Sequence, residues 1–559
     1  MERILRIFGR EYGNINQAAL LLGSFTLLSQ ILALFRDRFI AHFIGPSPLL
    51  DAYYAAFRVP DLIFISIASL ASITVLIPFL SAKMQGEEVT PEARKFLNDI
   101  FTVFFVAMVL ISIVVFFLMP YLIPFIAPGF SEALQSKVVD ISRIMLLSPI
   151  FLGLSNLFGT VTQLFRKFFI YSLSPIFYNF GIIFGVTVLY GIFGIYGLAF
   201  GVALGSLMHF LIQVFASSSS GFMPRFSSSV NFSDVKKTIV VSLPRTLGLS
   251  FNSIALISII ALASFLKSGS ISIFNLSFNL QSVPLNIIGI SYAVAAFPTL
   301  VRSMSLGKLD EFKDHLKSAG RQIIFWSLPV TFLFIVLRAQ IVRVILGSPS
   351  FSWENTRLVA ASLAVFSISI MAQGLIALFA RAYYAGGNTR RPLVINFISS
   401  VFIVIFSSLF LYIFKTYPFF KYLVESGLKV SDIPGTEVLM LPLAYSCGTI
   451  INLILLSFSI KRDFMSKEPF LSKTFFQSLS GSFAMGVVAY IGLNILSPVF
   501  GTTTFWGVFL QGFISGIFGI IAGILLLYFL GSQELKDLIQ TFHTKFWRIK
   551  VIAPPQEGL

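Results

Sequence analysis

The sequence predicts an all-α polytopic membrane protein of about fourteen transmembrane helices, arranged as two six-helix lobes related by a pseudo-two-fold axis plus two C-terminal helices. Three observations predict it: a composition unsuited to water, apolar runs of spanning length repeated along the chain, and a likeness between the two halves. Of 559 residues, 56% are hydrophobic and 11% charged, with mean hydropathy +0.88, whereas soluble domains carry roughly 25% charged residues. The 64 phenylalanines would make a soluble surface aggregate, but they pack well against acyl tails and other helices.

Spanning a hydrocarbon core of about 30 Å takes roughly 20 apolar residues, because a backbone amide facing lipid must be satisfied within its own helix. Runs of that size lie near 17–35, 60–82, 99–127, 138–163, 168–191, 195–216, 238–266, 272–301, 321–346, 358–380, 393–414, 437–460, 472–496 and 503–530. Arg3, Arg6 and Arg10 precede the first run in the manner of a signal peptide, but no small-residue cleavage site leads into a soluble domain, so the segment is expected to be retained. With the N-terminus cytoplasmic, Lys83, Arg94 and Lys95 fall on that side, as do Arg166 and Lys167, Lys236 and Lys237, Arg302 to Arg321, Arg390 and Arg391, and Lys461 to Lys473. The opposite connections 191–195 and 497–502 carry few or no cations, Lys415, Lys421 and Lys429 being the exceptions. The positive-inside rule then favours an even number of helices and two cytoplasmic ends.

The halves match at an offset of about 220 residues, as transporters built from repeats do. Pro175, Asn179 and Phe180 recur as Pro392, Asn396 and Phe397, and Ile77-Pro78-Phe79-Leu80 has its counterpart in Phe297-Pro298-Thr299-Leu300. Both members of each pair enter from the same side, so the repeat is parallel. The domains expected are a lobe over 1–216, a cytoplasmic linker over 217–237, a second lobe over 238–460, a helix pair over 461–531 and a cytoplasmic tail over 532–559.

Several function classes drop out. A single cysteine, Cys447, excludes an internal disulfide framework and a cysteine-based metal cluster, and within the apolar run Leu439 to Ser457 it reads as a small buried residue. The net charge of +16 is spread over short connections instead of one stripe, which argues against a nucleic-acid partner. His42, His209, His315 and His543 are too far apart to pair on a metal, and no zinc, P-loop or nucleophile-elbow motif occurs. No cofactor and no enzymatic chemistry are expected.

Ionisable groups at membrane depth are costly, so they mark candidate sites. Arg36, Asp37 and Arg38 end the first run, and Asp51, Arg58 and Asp61 surround the start of the second. Arg36 suits a phosphate through its guanidinium fork, or else pairs with Asp37 and snorkels to the interface. Asp51 fits both a cavity role and a cap on the helix that follows it. Arg245, beside Pro244 in a long apolar run, needs a cavity or partner helix to stabilise it. Asn275, Ser277, Asn279, Gln281 and Asn286 crowd amides into one span, either as interhelical hydrogen-bond partners or as ligands.

The stretch Leu28-Ser29-Gln30-Ile31-Leu32-Ala33-Leu34-Phe35-Arg36-Asp37, then Phe43-Ile44-Gly45 and Asp51-Ala52-Tyr53-Tyr54 to Pro60, resembles the MurJ (MviN) family. The likeness runs on through Leu243-Pro244-Arg245, Asn279-Leu280-Gln281 to Pro284, Ala296-Phe297-Pro298, and Ala380-Arg381-Ala382-Tyr383-Tyr384-Ala385 to Arg390, covering nearly the whole chain. The resemblance implies a multidrug/oligosaccharidyl-lipid/polysaccharide exporter fold with a central cationic cavity, lipid II as cargo, and a lateral groove for the polyprenyl tail along 472–530. It also implies alternating access in the bacterial cytoplasmic membrane, with cell-wall synthesis proteins as candidate partners. Arg36, Asp37 and Asp51 match family residues implicated in transport. This chain departs from the pattern at Gln30, Phe64-Ile65, Ser69 and Asn279, where the family carries Arg, an Arg pair, Glu and Arg. The cavity set expected is therefore Arg36, Asp37, Asp51, Arg58, Arg245 and Asn279, with Arg245, Arg58 or Arg38 standing in for the missing cations. Those losses keep other cargoes open: another polyprenyl-linked glycan, a small cationic drug, or a non-transporting cell-wall scaffold. Membrane potential or a monovalent ion is the drive such a fold admits.

Overall fold

The computed structural model describes residues 15–68, 76, 79–80, 82–84, 89–165, 167–218, 222–465, 471–501 and 504–546, without the side chains of 15–22, 68, 168, 245 and 541–546. These residues are helical throughout, joined by short connections. Among the described residues eleven helices are long and apolar enough to cross a membrane, or twelve if the bent pair Trp353–Ser367 and Ile370–Ala385 forms one span. The 29-residue helix Ile15–Phe43 and the broken element after it are consistent with the remaining two of the fourteen expected.

Local chemistry sets the helix starts. Ser47 and Thr90 accept from the backbone N–H groups of Leu50 and Ala93, and each is followed by proline at the first helical position, where a missing N–H costs nothing. Ser352 and Thr504 cap Trp353–Ser367 and Phe505–Phe529 in the same way. The structure corrects the expected spans at three places. The run over 60–82 is preceded by Pro48–Ala56 and continues as Arg58–Ile63 and a π-helical turn Phe64–Ala68, most of its remainder lying outside the described residues. The run over 358–380 bends by 42° between Ser367 and Ile370. A helix that hydrophobic length did not announce, Pro418–Leu428, lies between Thr416 and Thr436 and ends at Lys429 in left-handed conformation.

The described residues form two compact units, one drawn from Met1–Val283, Val342–Ser369 and Gly387–Leu456, the other from Pro284–Ile341, Ile370–Gly386 and Ser457–Leu559. In the first, Ile15–Phe43 packs on Phe168–Phe184, which packs on Ile195–Ser218. The last two meet through glycines: a Cβ on Gly201 would stand 2.5 Å from Gly185 Cα, and one on Gly181 2.2 Å from Gly205 Cα. Small residues four apart let membrane helices touch backbone to backbone, where dispersion and weak polar contacts replace the hydrophobic drive. Gly201→Ala is expected to destabilise the protein by about 1–3 kcal/mol through overpacking, read as a lowered unfolding midpoint of the purified protein in detergent.

The connector within 217–237 is tied to the helix Pro91–Ile126. Backbone N–H groups of Arg225, Ser227 and Asn231 donate to Asn98 Oδ1 (2.8 Å), Thr102 Oγ1 (2.8 Å) and Asp99 Oδ2 (3.0 Å), and the Phe226 ring lies against Phe101 and Phe105. Lys83 Nζ stands 3.1 Å from Asp234, and its hydrogen bond holds that carboxyl below the usual carboxylate range.

In the second unit, Ser472–Phe500 and Phe505–Phe529 pair closely at Gly481 against Leu527 and at Gly523 against Met485, and Ser472–Phe500 also packs on Leu309–Val336. Phe476, Phe483, Ile495, Trp506 and Phe513 remain exposed on this pair, as lipid-facing side chains do. The final helix Gln533–Phe546 is anchored by buried Glu534, which accepts from Thr474 Oγ1 (2.7 Å) and Ser532 Oγ (3.0 Å).

Candidate functional site

Within the first unit a cavity of about 330 Å³ is lined by Arg36, Asp37, Arg58, Asp61, Asn275 and Asn279 together with Tyr53, Tyr54, Phe57, Tyr178 and apolar neighbours. Arg36 and Asp37 are adjacent on Ile15–Phe43, and their side chains meet: Arg36 Nε and Nη2 donate to Asp37 Oδ1 at 2.9 and 2.8 Å. Arg36 Nη1 donates to Asn179 Oδ1 at 3.1 Å, and Asn279 Nδ2 donates to Asp37 Oδ2 at 3.1 Å. Asp37 is 2% exposed and uses both oxygens on protein donors, so it serves as an orienting counter-ion. Arg36 spends three of its five N–H groups on protein, and the other two have no acceptor among the described residues.

Arg58 opens the short helix Arg58–Ile63, donates through Nη2 to Asn275 Oδ1, and leaves its buried Nε without an acceptor. The Tyr54 hydroxyl is likewise buried without a partner. Among the described residues these two buried polar atoms beside the cavity lack partners, and an unpaired buried group costs free energy. Asn275 and Asn279 stand one helical turn apart on Ser270–Pro284 and therefore reach the same space, Asn275 being steadied by its own bond to Ile271 O at 2.8 Å.

The expected set is only partly brought together. Arg36, Asp37, Arg58 and Asn279 line the cavity. Asp51 does not: it is 3% exposed, and its oxygens accept from Gly269 N (2.6 Å), Ser272 N (2.7 Å) and Ser272 Oγ (2.6 Å). It caps the N-terminus of Ser270–Pro284 from across the fold, while its own helix is capped by Ser47. Arg38 also points elsewhere, donating to the carbonyls of Val344 and Ile345 at the C-terminal end of Arg338–Leu346, so it does not replace a cavity cation. Arg245 lies in Phe232–Ala263, but its side chain is outside the described residues. Ser69 is likewise outside them.

Gln30 falls in a second polar cavity of about 270 Å³, with Ser155, Asn156, His209 and Gln213. The pattern cation is therefore lost from a different chamber. Phe64 opens the π-helical turn after Asp61.

Sequence reading undervalued two residues. Asn179 was visible as a repeat mark beside Pro175, yet it is the side chain that holds Arg36. Its counterpart Asn396 accepts from Asn452 Nδ2 at 2.9 Å, so the repeated asparagine serves helix packing in one place and the cavity in the other. Asp61 stands in the sequence as one of the charges around the start of the second apolar run. It lines the cavity and makes no side-chain hydrogen bond or ion pair among the described residues.

The chain is similar to known proteins in sequence and in fold. The family described as "Lipid II flippase MurJ" matches residues 40–510. A probable lipid II flippase MurJ of Rhizobium meliloti (strain 1021) is 26% identical over 421 residues, 74% of this chain and 76% of that protein. A lipid II flippase MurJ of Burkholderia cenocepacia is 24% identical over 406 residues, 68% of this chain and 75% of its own. Among solved structures, the fold matches a lipid II flippase MurJ in an inward closed conformation with TM-score 0.72 at 23% identity, covering 93% of this chain and 100% of that one. It also matches an inward-facing multidrug resistance MATE family transporter of the MOP superfamily, with TM-score 0.61 at 13% identity over 79% of this chain and 98% of that one. On a match that takes in most of its length, this chain belongs to the MurJ lipid II flippase family.

Proposed function

We propose that this protein is a multi-pass transporter of the bacterial cytoplasmic membrane, with both termini in the cytoplasm, that flips lipid II between leaflets. The observation that carries the reading is the convergence of Arg36 and Arg58, both with unspent donors, on one cavity of a membrane-embedded unit. The two guanidinium groups take the diphosphate, with Asn275 holding Arg58 and Asn279 holding Asp37. Asp37 and Asn179 hold the Arg36 fork rigid, so little side-chain entropy is lost when the anion arrives. The Tyr53, Tyr54 and Tyr178 side chains form part of the cavity wall. Alternating access of two lobes, 1–216 and 238–460, carries the headgroup, while the polyprenyl tail stays in lipid along 472–530. Charge moved through the field gains about 2.3 kcal/mol per elementary charge per 100 mV, so membrane potential or a coupled monovalent ion is the drive this reading admits.

Replacing a host's essential lipid II flippase by this chain tests the reading. The expected result is that labelled lipid II still reaches the outer leaflet and that Arg58→Ala lowers the rate about tenfold, the worth of one charged hydrogen bond. A chain that inserts and folds but moves no lipid II would shift the cargo to another polyprenyl-linked glycan.

A further inference from the structure

The cavity's charges balance unexpectedly. Arg36 and Arg58 face Asp37 and Asp61, two of each sign, although the cargo proposed above is itself an anion. Asp37 is accounted for, since Arg36 and Asn279 use both its oxygens. Asp61 is not. It is exposed to the cavity and lies on the same short helix as Arg58, with no hydrogen bond or ion pair among the described residues to reach its carboxylate. Arg58, one turn away on the same short helix, is the charge that acts on it, and a carboxylate inside a membrane protein costs a few kcal/mol once such compensation is withdrawn. A diphosphate on the two arginines would raise that cost by placing a second anion nearby. The arrangement becomes favourable when the cargo brings a positive charge of its own.

We propose that Asp61 is a specificity residue that accepts a hydrogen bond from a free ammonium group on the cargo's headgroup. The inference rests on the flippase reading and narrows its cargo: a lipid-linked glycan that is anionic at its diphosphate and cationic at an amine further out. Arg58 and Asp61, one turn apart on Arg58–Ile63, then read the two signs of one zwitterionic headgroup. The π-helical turn Phe64–Ala68 begins directly after them, a feature frequent where a helix is shaped around a ligand.

The test uses the full chain in liposomes with two cargoes: lipid II whose peptide carries a free side-chain amine, and the same lipid acetylated at that amine. Translocation is followed by exposure of the headgroup to a membrane-impermeant glycan-cleaving enzyme. The expected result is a rate about tenfold higher for the amine cargo, falling to a ratio of about one in Asp61→Asn and recovering in Asp61→Glu. Equal rates for the two cargoes in the unaltered chain overturn the inference while leaving the flippase reading intact, and need no variant to fold. A ratio unchanged by Asp61→Asn overturns it as well. Transport of neither cargo overturns the flippase reading, and this inference with it.

Discussion

Arg36→Ala is expected to abolish measurable translocation and to weaken the fold together. Two losses add. Asp37, 2% exposed, would keep only its bond from Asn279, and stranding one member of a buried ion pair costs about 3–5 kcal/mol. The cargo would lose two donors, each worth about 1.5–3 kcal/mol when the acceptor is charged, so translocation should fall at least about a hundredfold. The double variant Arg36→Ala/Asp37→Asn separates the effects, because it removes the stranded charge while leaving the anion site empty. Its unfolding midpoint in detergent should recover most of the loss, and its lipid II translocation should not. Arg36→Lys keeps the charge but not the planar fork that reaches Asp37 and Asn179 at once, so intermediate transport is expected. A double variant that transports normally would remove Arg36 from the site.

Asp51→Ala is expected to be nearly as damaging for a different reason. Three donors, Gly269 N, Ser272 N and Ser272 Oγ, would be left buried without an acceptor at the start of Ser270–Pro284. At about 1–3 kcal/mol for each unsatisfied group, the total approaches the whole stability of an ordinary domain. The variant should accumulate poorly and melt early, whereas Asp51→Asn, which keeps one carbonyl oxygen for Ser272, should lose about half as much. Because Ser270–Pro284 carries Asn275 and Asn279, transport should fall in step with folding. Asp51→Ala protein that melts like the unaltered chain yet fails to transport would show instead that the carboxylate acts on cargo, as the family likeness implied.

The two aspartates show where legibility stops. Both sit near the start of the second apolar run, and local sequence offers each the same reading, a helix-start residue or a cavity group. Asp51 faces the backbone of a helix more than two hundred positions away and is consumed by it. Asp61 lines the cavity within the same unit. Arg36 and Arg38, two positions apart, diverge for a similar reason: on a helix that spacing turns the side chains to different faces, one toward Asn179 and the other toward the carbonyls of Val344 and Ile345.

Hydrophobic length acts within one span of the chain, and it sufficed for an all-helical membrane protein and most of its helix positions, while the family came from a likeness of motif residues. Hydrophobic length is a local signal because each lipid-facing helix must satisfy its own backbone. The site was decided otherwise. Its bonds join Arg36 to Asn179 across 143 positions, Arg58 to Asn275 across 217 and Asn279 to Asp37 across 242, and no periodicity records such partners. Composition alone determined that charges inside this protein would be few and costly; which of them are satisfied by protein and which line a cavity was decided only when tertiary packing brought distant helices within hydrogen-bond reach.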